Sequence, residues 1–349
     1  MLAVWVQKTV ADTTAEADAL VTRHAADGVT DIFYYNGYTS NYAALAYLTT
    51  AAHKAGLRVH AWLCFGADLY GLNSSWKCSG VAFTNFSIEA ARLRMAAIVQ
   101  EILAAVPDID GFHLDYMRSP VIDDTTYYTA TEVTDAVDKI ATASGGKTLS
   151  VAVKAYENDW LRWSQNWPAW LNDNLIDLAC PMCYHPLDGE TDMAYHVRAW
   201  ENSGAPMWLI VPGLAVIDDS DAAEPLKTAA QMQDEAALFV GLGFGDAALF
   251  DNRATDAQIM AVAAELPADE PEENEMGIYD TLIAEADAID ARATTEANTA
   301  QADYDARMAN VAAAHLTATN LRIQAAALQE ADEKAAQVAD AAAAVSALL

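Results

Sequence analysis

The sequence predicts an α/β protein: a (β/α)8 TIM barrel over residues 1–266, followed by a C-terminal α-helical, coiled-coil-like tail. Three observations carry that reading. Short apolar runs rich in β-branched and aromatic residues alternate with amphipathic, Ala-rich segments, the βαβα pattern of a parallel sheet covered by helices. No G-x-G-x-x-G or G-x-x-x-x-G-K-[ST] follows the first apolar run, which argues against a doubly wound nucleotide-binding sheet. The composition also breaks near residue 267: all nine tryptophans lie between Trp5 and Trp208, and neither Gly nor Pro occurs after Gly277.

Taken in order, the strand candidates are 2–7 (LAVWVQ), 30–35 (TDIFYY), 58–65 (RVHAWLCF), 110–116 (DGFHLDY), 148–154 (TLSVAVK), 176–184 (IDLACPMCY), 206–213 (PMWLIVPG) and 246–251 (DAALFD). Helical patterns stand between them, over 14–28 ending in Gly28 and over 42–56 ending in Gly56. The clearest is 87–106, where Ser87 precedes apolar residues at helical spacing and is the expected N-cap. Residues 267–277 form a Pro- and Glu-rich linker. Residues 278–349 are Ala-rich with Glu, Asp, Gln, Leu and Arg, mostly strong helix formers, and predict one long rod or a hairpin. Their apolar positions keep no clean heptad. The small-residue faces nevertheless suit close packing on another helix, so an oligomerisation or attachment stalk is expected over a merely solvated tail.

Charge restricts the partners. Against 50 Asp+Glu stand 19 Lys+Arg, a formal charge of −31, while 53% hydrophobic and 9% aromatic residues suffice for a substantial core. Such a chain is repelled by phosphate backbones and anionic lipid, so nucleic acid and membranes are not expected partners, and sugars stay open. No run approaches the ~20 apolar residues of a membrane span. The first residues, MLAVWVQKTV, lack a basic n-region and an A-x-A site, so no secretory signal is expected. The expected location is a virus particle or the extracellular space by a non-classical route, otherwise the cytoplasm. Cys64, Cys78, Cys180 and Cys183 are too few for a disulfide scaffold, although Cys64 and Cys78 could close one loop. Cys180 and Cys183, three apart on a strand, face opposite ways and cannot share a metal. No metal and no organic cofactor is expected.

In a barrel the chemistry sits at the C-terminal strand ends. Residues there are Tyr34, Tyr35, Asn36 and Tyr38 after the second strand, and Trp62 on the third with Asp68, Tyr70 and Trp76 beyond. The fourth contributes His113, Asp115, Tyr116 and Arg118, and the fifth Lys154, Tyr156 and Glu157. The sixth adds Met182, Tyr184, His185 and Asp188, and the eighth Asp251, Asn252 and Arg253. Aromatics beside carboxylates suit carbohydrate: apolar sugar faces stack on rings, hydroxyls bond polar side chains, and two carboxyls act as acid and nucleophile or base. Asp115 alternates with His113 and Gly111, so these share an inward face, and Arg118 is the natural partner for a buried carboxylate. The catalytic candidates are Asp115, Glu157 and Asp251. The substrate-binding candidates are Tyr34, Tyr35, Asn36, Trp62, His113, Tyr116, Arg118, Tyr156, Met182, Tyr184 and Asp188. His113 reads as a hydrogen-bonded interior histidine rather than a metal ligand. Trp160, Trp163, Trp167 and Trp170 recur at roughly helical spacing, mostly core, with one or two left for a sugar platform.

The stretch from Asp110 to Pro120 resembles the fourth-strand motif D-G-[IV]-x-[FL]-D-Y-[IV]-R-[FY]-P of the glycoside-hydrolase-like barrels (family 10 type), matching at Asp110, Gly111, Asp115, Tyr116, Arg118 and Pro120; Ser119 replaces an aromatic. Pro181, Met182 and Tyr184 resemble that family's sixth-strand P-M-x-Y, and Pro212, Gly213 and Leu214 its seventh-strand P-G-[LI]. The resemblance implies cleavage of polysaccharide, bacterial cell-wall glycan included, with Asp115 catalytic, Arg118 orienting it and Tyr184 lining a sugar subsite. A fainter likeness to family-18 chitinases aligns Asp110, His113, Asp115 and Met117 with the D, D, D and E of their strand-4 motif D-G-x-D-x-D-x-E. Met117 stands where those enzymes carry their acidic Glu, so their usual mechanism is not expected. Two functions follow: a glycosidase, or a non-catalytic glycan-binding protein of a phage tail fibre, spike or other surface assembly, a homo-oligomer or virion component through the tail.

Overall fold

The computed structural model describes residues 1–7, 13–35, 42–67, 74–122, 125–184, 193–217, 225–250 and 253–267. Eight parallel strands close into a barrel: β1 (Leu2–Val6), β2 (Asp31–Tyr35), β3 (Arg58–Cys64), β4 (Gly111–Asp115), β5 (Thr148–Lys154), β6 (Leu178–Met182), β7 (Gly213–Ala215) and β8 (Ala247–Phe250), with β8 returning to pair with β1. The chain divides into Met1–Ala268 and Asp269–Leu349, and the linker and helical tail expected beyond residue 267 lie outside the described residues.

Both strand faces are buried, as a parallel sheet under helices requires. Alternation divides each strand between two cores. Trp5, Phe33, Trp62, Cys64, Cys180 and Ala248 fill the barrel. Val4, Ile32, Val59, Leu114, Val151 and Leu249 point outward to the helices. There they meet Leu45 and Leu48 of α2 (Tyr42–Lys54), Met95 and Val99 of α3 (Glu89–Ala105), and Val137 and Ile140 of α4 (Ala130–Ala143). Cys180 faces inward and Cys183 outward.

Helix starts follow side-chain chemistry. Thr13 caps α1 (Thr14–Ala26) and Thr129 caps α4, each in a box closed by Glu16 or Glu132. α3 differs from expectation. Ser87 does not cap it; its backbone N–H and hydroxyl both donate to Asn85 Oδ1, at 3.0 and 2.7 Å, and Ile88 occupies the cap position without a side-chain bond. The seventh strand is also displaced. Residues 207–209 form a 3-10 turn that leaves Trp208 79% exposed; an isolated bridge joins Ile210 to Ala179, and the continuous strand begins at Gly213. Pro212 has no N–H to donate, although its carbonyl accepts from Ala248 at 2.9 Å.

At the N-terminal end of the barrel, Asp31 is fully buried and accepts from Arg58 at 2.8 Å and Thr30 at 2.6 Å, with His60 at 3.0 Å. Burial pushes its carboxyl up, but the bonds from His60, Arg58 and Thr30 outweigh that and hold it at about 2. Between the ordinary value and about 2 the native chain therefore binds fewer protons than the unfolded chain, so this stability is present above that window and is lost as pH falls through it. Asp31→Asn is expected to cost about 2 kcal/mol at neutral pH. Melts at pH 7 and near pH 2 check this, because the gap between wild type and variant should close in acid; a gap independent of pH refutes it.

Above that cluster, Trp5 Nε1 donates to His113 Nε2 at 2.9 Å, which leaves Nδ1–H to donate to Ser150 Oγ at 2.8 Å. The imidazole stacks on Phe33 at 4.1 Å, and burial, then His60, push it well below the usual histidine range, so it is neutral. His113 thus plugs the barrel and does not line a site.

Candidate active site

The site is built where β4 ends. Asp115 is the last β4 residue and lies in register with Cys64 at the end of β3. Immediately beyond it Tyr116 adopts a left-handed backbone, φ 57°, uncommon for a bulky side chain and typical of functional sites when the surroundings impose it. The imposing neighbour is Gly66: a Cβ there would lie 1.9 Å from the Tyr116 carbonyl oxygen. Arg118 N–H donates back to that same oxygen at 2.8 Å, so the chain folds over itself within three residues. Arg118 thereby returns to Asp115, with Nη1 3.6 Å from Oδ1 and Cζ 4.3 Å from the Tyr116 ring centroid.

The turn is braced from behind. Tyr128 OH donates to the Arg118 carbonyl at 2.7 Å, and Ser119 N–H to the Trp163 carbonyl at 2.9 Å. Gln165 Nε2 donates to the Met117 and Ala152 carbonyls, both at 3.2 Å, while its Oε1 accepts from Lys154 N–H at 2.7 Å. The buried amide thus joins the ends of β4 and β5.

Burial raises the Asp115 carboxyl above the usual range. Arg118, the Tyr116 N–H at 2.6 Å, the Trp62 indole and the Cys64 thiol pull the other way and only partly succeed. The carboxyl is therefore biased toward its protonated form, the state of a proton donor. Burial also pushes the Cys64 thiol up, so it remains an S–H facing Oδ2 at 3.9 Å. Lys154 is lowered by burial and then by Arg118.

Around Asp115 opens a cleft of about 630 Å3, within the range of small-ligand sites. One wall is aromatic: Tyr35 meets Trp62 edge-on at 5.3 Å, Trp62 meets Phe250 at 6.2 Å, and Tyr184 stacks on Phe250 at 5.4 Å. That wall is anchored by the Lys227–Glu235 pair, buried and 2.7 Å apart, whose ammonium also donates to the Tyr184 carbonyl at 2.7 Å. Tyr156, Met182, Asp159 and Gln7 also line the cleft.

Of the residues expected from the sequence, Tyr35, Trp62, Asp115 and its neighbours Tyr116 and Arg118 come together in the cleft, as do Tyr156, Met182 and Tyr184. Tyr34 does not. It follows the strand alternation outward into the helix-facing core, because only one of two adjacent strand residues can face the barrel. His113 lies below, in the interior described above. Asn36, Asp188 and Asp251 lie outside the described residues, and Glu157 opens α5 (Glu157–Arg162) with its side chain outside them. Cys64 and Cys78 are free thiols, so the loop disulfide is corrected. Trp160, Trp167 and Trp170 are core, whereas Trp163 stands 5.7 Å from Arg118 Cζ and 4.8 Å from Lys154 Nζ. Phe250, Cys64 and Asp159 line the cleft without having been singled out as site residues. Alternation from Ala248 and Trp62 identifies the first two. Asp159 lies two residues beyond Glu157 on a helix after β5, where strand parity gives no signal.

No protein-family model and no curated protein matches the sequence. Solved structures do match in fold. The PgaB (BpsB) glycoside hydrolase domain from Bordetella bronchiseptica aligns with TM-score 0.56 at 11% identity, over 76% of this chain and 99% of that one. A chitinase from Chromobacterium violaceum aligns at 0.53 and 14%, over 77% and 99%. The Bacillus cereus spore cortex-lytic enzyme SleL aligns at 0.52 and 12%, over 76% and 74%. At these identities the likeness establishes the eight-stranded α/β barrel.

Proposed function

We propose that the barrel is a glycoside hydrolase acting on a cell-surface or cell-wall polysaccharide, with Asp115 as its general acid. One observation carries this: a buried carboxyl, biased toward protonation, at the base of an aromatic cleft on the C-terminal face of the barrel. Asp115 would give its proton to the glycosidic oxygen as the C–O bond breaks, the leaving sugar departing as an alcohol. A second carboxylate would attack the anomeric carbon or take a proton from the attacking water. Asp159, which lines the same cleft, joins Glu157 and Asp251 as a candidate for it. Tyr35, Trp62 and Tyr184 present ring faces to the apolar sides of sugars. Solved barrels of like fold include a glycoside hydrolase domain, a chitinase and a spore cortex-lytic enzyme, which supports the reaction class by analogy of fold.

A second reading, glycan binding without catalysis, is favoured by Met117. It stands where the chitinase likeness aligns an acidic Glu, and it is fully buried in the helix-facing core. In either case residues 278–349 are proposed as the stalk that assembles the protein into a fibre or spike, outside the cell or on a phage particle, on the strength of their Ala-rich composition. The whole chain should then sediment as an oligomer, and a monomer removes the stalk.

Reducing-sugar release from cell-wall glycan strands, chitin oligomers and capsular polysaccharide, with Asp115→Asn alongside, separates the two readings. Release by the wild type that the variant loses establishes the glycosidase. Binding without release by either establishes the lectin-like module.

A further inference from the structure

The cleft holds a guanidinium with unmet hydrogen bonds, on Arg118, which lines it together with Lys154, Asp115 and Asp159. Arg118 is 8% exposed, yet Nε and Nη1 have no hydrogen-bond partner among the described residues. Its nearest carboxylate oxygen, on Asp115, is 3.6 Å from Nη1, beyond hydrogen-bond reach. Lys154 lines the same cleft, its Nζ over the same Trp163 ring that Arg118 approaches, and it makes no ion pair with a described residue. Two cations thus converge on one indole inside a protein of net charge −31. A buried guanidinium with two unbonded nitrogens is costly unless an occupant supplies acceptors. Sugar hydroxyls can accept hydrogen bonds but carry no charge. A carboxylate accepts hydrogen bonds and carries a negative charge, and the planar guanidinium fork matches its two oxygens.

We infer that the cleft binds a carboxylate-bearing sugar, its acid group seated between Arg118 and Lys154 while the ring stacks on the aromatic wall. The inference rests on the proposed glycan reading and narrows it to acidic glycans. The overall charge does not oppose this at contact. Exposed charges are screened beyond ~8 Å at physiological salt, so distant carboxylates slow the approach of an anionic glycan more than they weaken its bound state. The carboxylate can belong to a hexuronic acid, on the ring carbon chain, or to a lactyl ether on an amino sugar. The local chemistry is the same, and the test separates the two.

The test uses the full chain at fixed ionic strength. Dissociation constants and initial rates of reducing-sugar release are measured for oligouronates and for lactyl-bearing amino-sugar strands, each beside its carboxyl-reduced counterpart. At least one acidic ligand should bind about 10-fold or more tightly than its reduced form, the scale of one charge-assisted contact; which one does so identifies the source. In Lys154→Gln the ratio should fall toward one, and Lys154→Arg should restore it, with melting curves confirming that both variants fold. Equal affinity for acidic and reduced ligands overturns the carboxylate subsite and leaves the glycan reading intact. A ratio that survives Lys154→Gln removes Lys154 from the subsite. No binding of any glycan by the folded wild type overturns the underlying reading as well.

Discussion

Under the proposed function, Asp115→Asn is expected to lower kcat for glycan hydrolysis by ~10²–10⁴-fold, about 3–5 kcal/mol of barrier, because the amide keeps the shape of the carboxyl but cannot give up a proton to the leaving oxygen. The same substitution should stabilise the fold at neutral pH. Burial raises the carboxyl above its unfolded value even after the pull of Arg118 is counted. Between those two values the native chain binds more protons than the unfolded chain, so the contribution of Asp115 to stability is fully present below the unfolded value and is lost as pH rises through the folded one. The neutral amide does not titrate. Its advantage in Tm should therefore be absent near pH 3 and grow on the way to pH 7. Paired melts and initial rates across that range test both halves. Undiminished turnover in a folded variant removes Asp115 as the acid, and a variant less stable at pH 7 than at pH 3 relative to wild type contradicts the electrostatic account.

That Asp115 faces a cleft at this strand end was legible in the sequence, because burial on both faces of a parallel barrel leaves period-two alternation as a strong constraint. Once Asp115 is assigned inward, Gly111 and His113 follow, and the same parity places Trp62 and Cys64 together on β3. Parity also decides between Tyr34 and Tyr35, which composition alone does not. What could not be read is what depends on backbone departure from the strand. The left-handed Tyr116 against Gly66 and the insertion of Gln165 between two strand ends arise from contacts distant in sequence, and the return of Arg118 follows from that Tyr116 backbone. The apolar run Met207–Leu209 imitates a strand, but it turns outward between Pro206 and Pro212 and exposes Trp208. Asp159 was unreadable because it is carried by a helix that starts without a side-chain cap, so no local signal fixes its register.

Gly66→Ala should be among the most damaging single-methyl additions in the barrel, although Gly66 lies outside the cleft lining and carries no chemistry. The added Cβ would sit 1.9 Å from the Tyr116 carbonyl oxygen and 3.0 Å from its carbonyl carbon, both backbone atoms that no rotamer change can withdraw. Neither side has slack. Gly66 is held by the bond from Thr84 N–H to its carbonyl at 2.9 Å, with Thr84 Oγ1 donating to the Phe65 carbonyl at 2.9 Å. Tyr116 is already left-handed and ties Arg118 through the threatened oxygen. Relief requires the β4 turn to move, and Asp115 and Arg118 move with it. The expected cost is about 3 kcal/mol, or ~6–12 °C in Tm. A shift of ~1 Å at Asp115, the proposed acid, should lower kcat by ~10²-fold in the protein that remains folded. Gly80→Ala is the control: nothing stands within 4 Å of its Cβ, but its φ of +82° makes an L side chain strained. It should cost about 1 kcal/mol and leave kcat unchanged. Melting curves with kcat measured well below each Tm distinguish the two. If Gly66→Ala matches Gly80→Ala in both, the close approach of the β3 and β4 ends is not what positions Asp115.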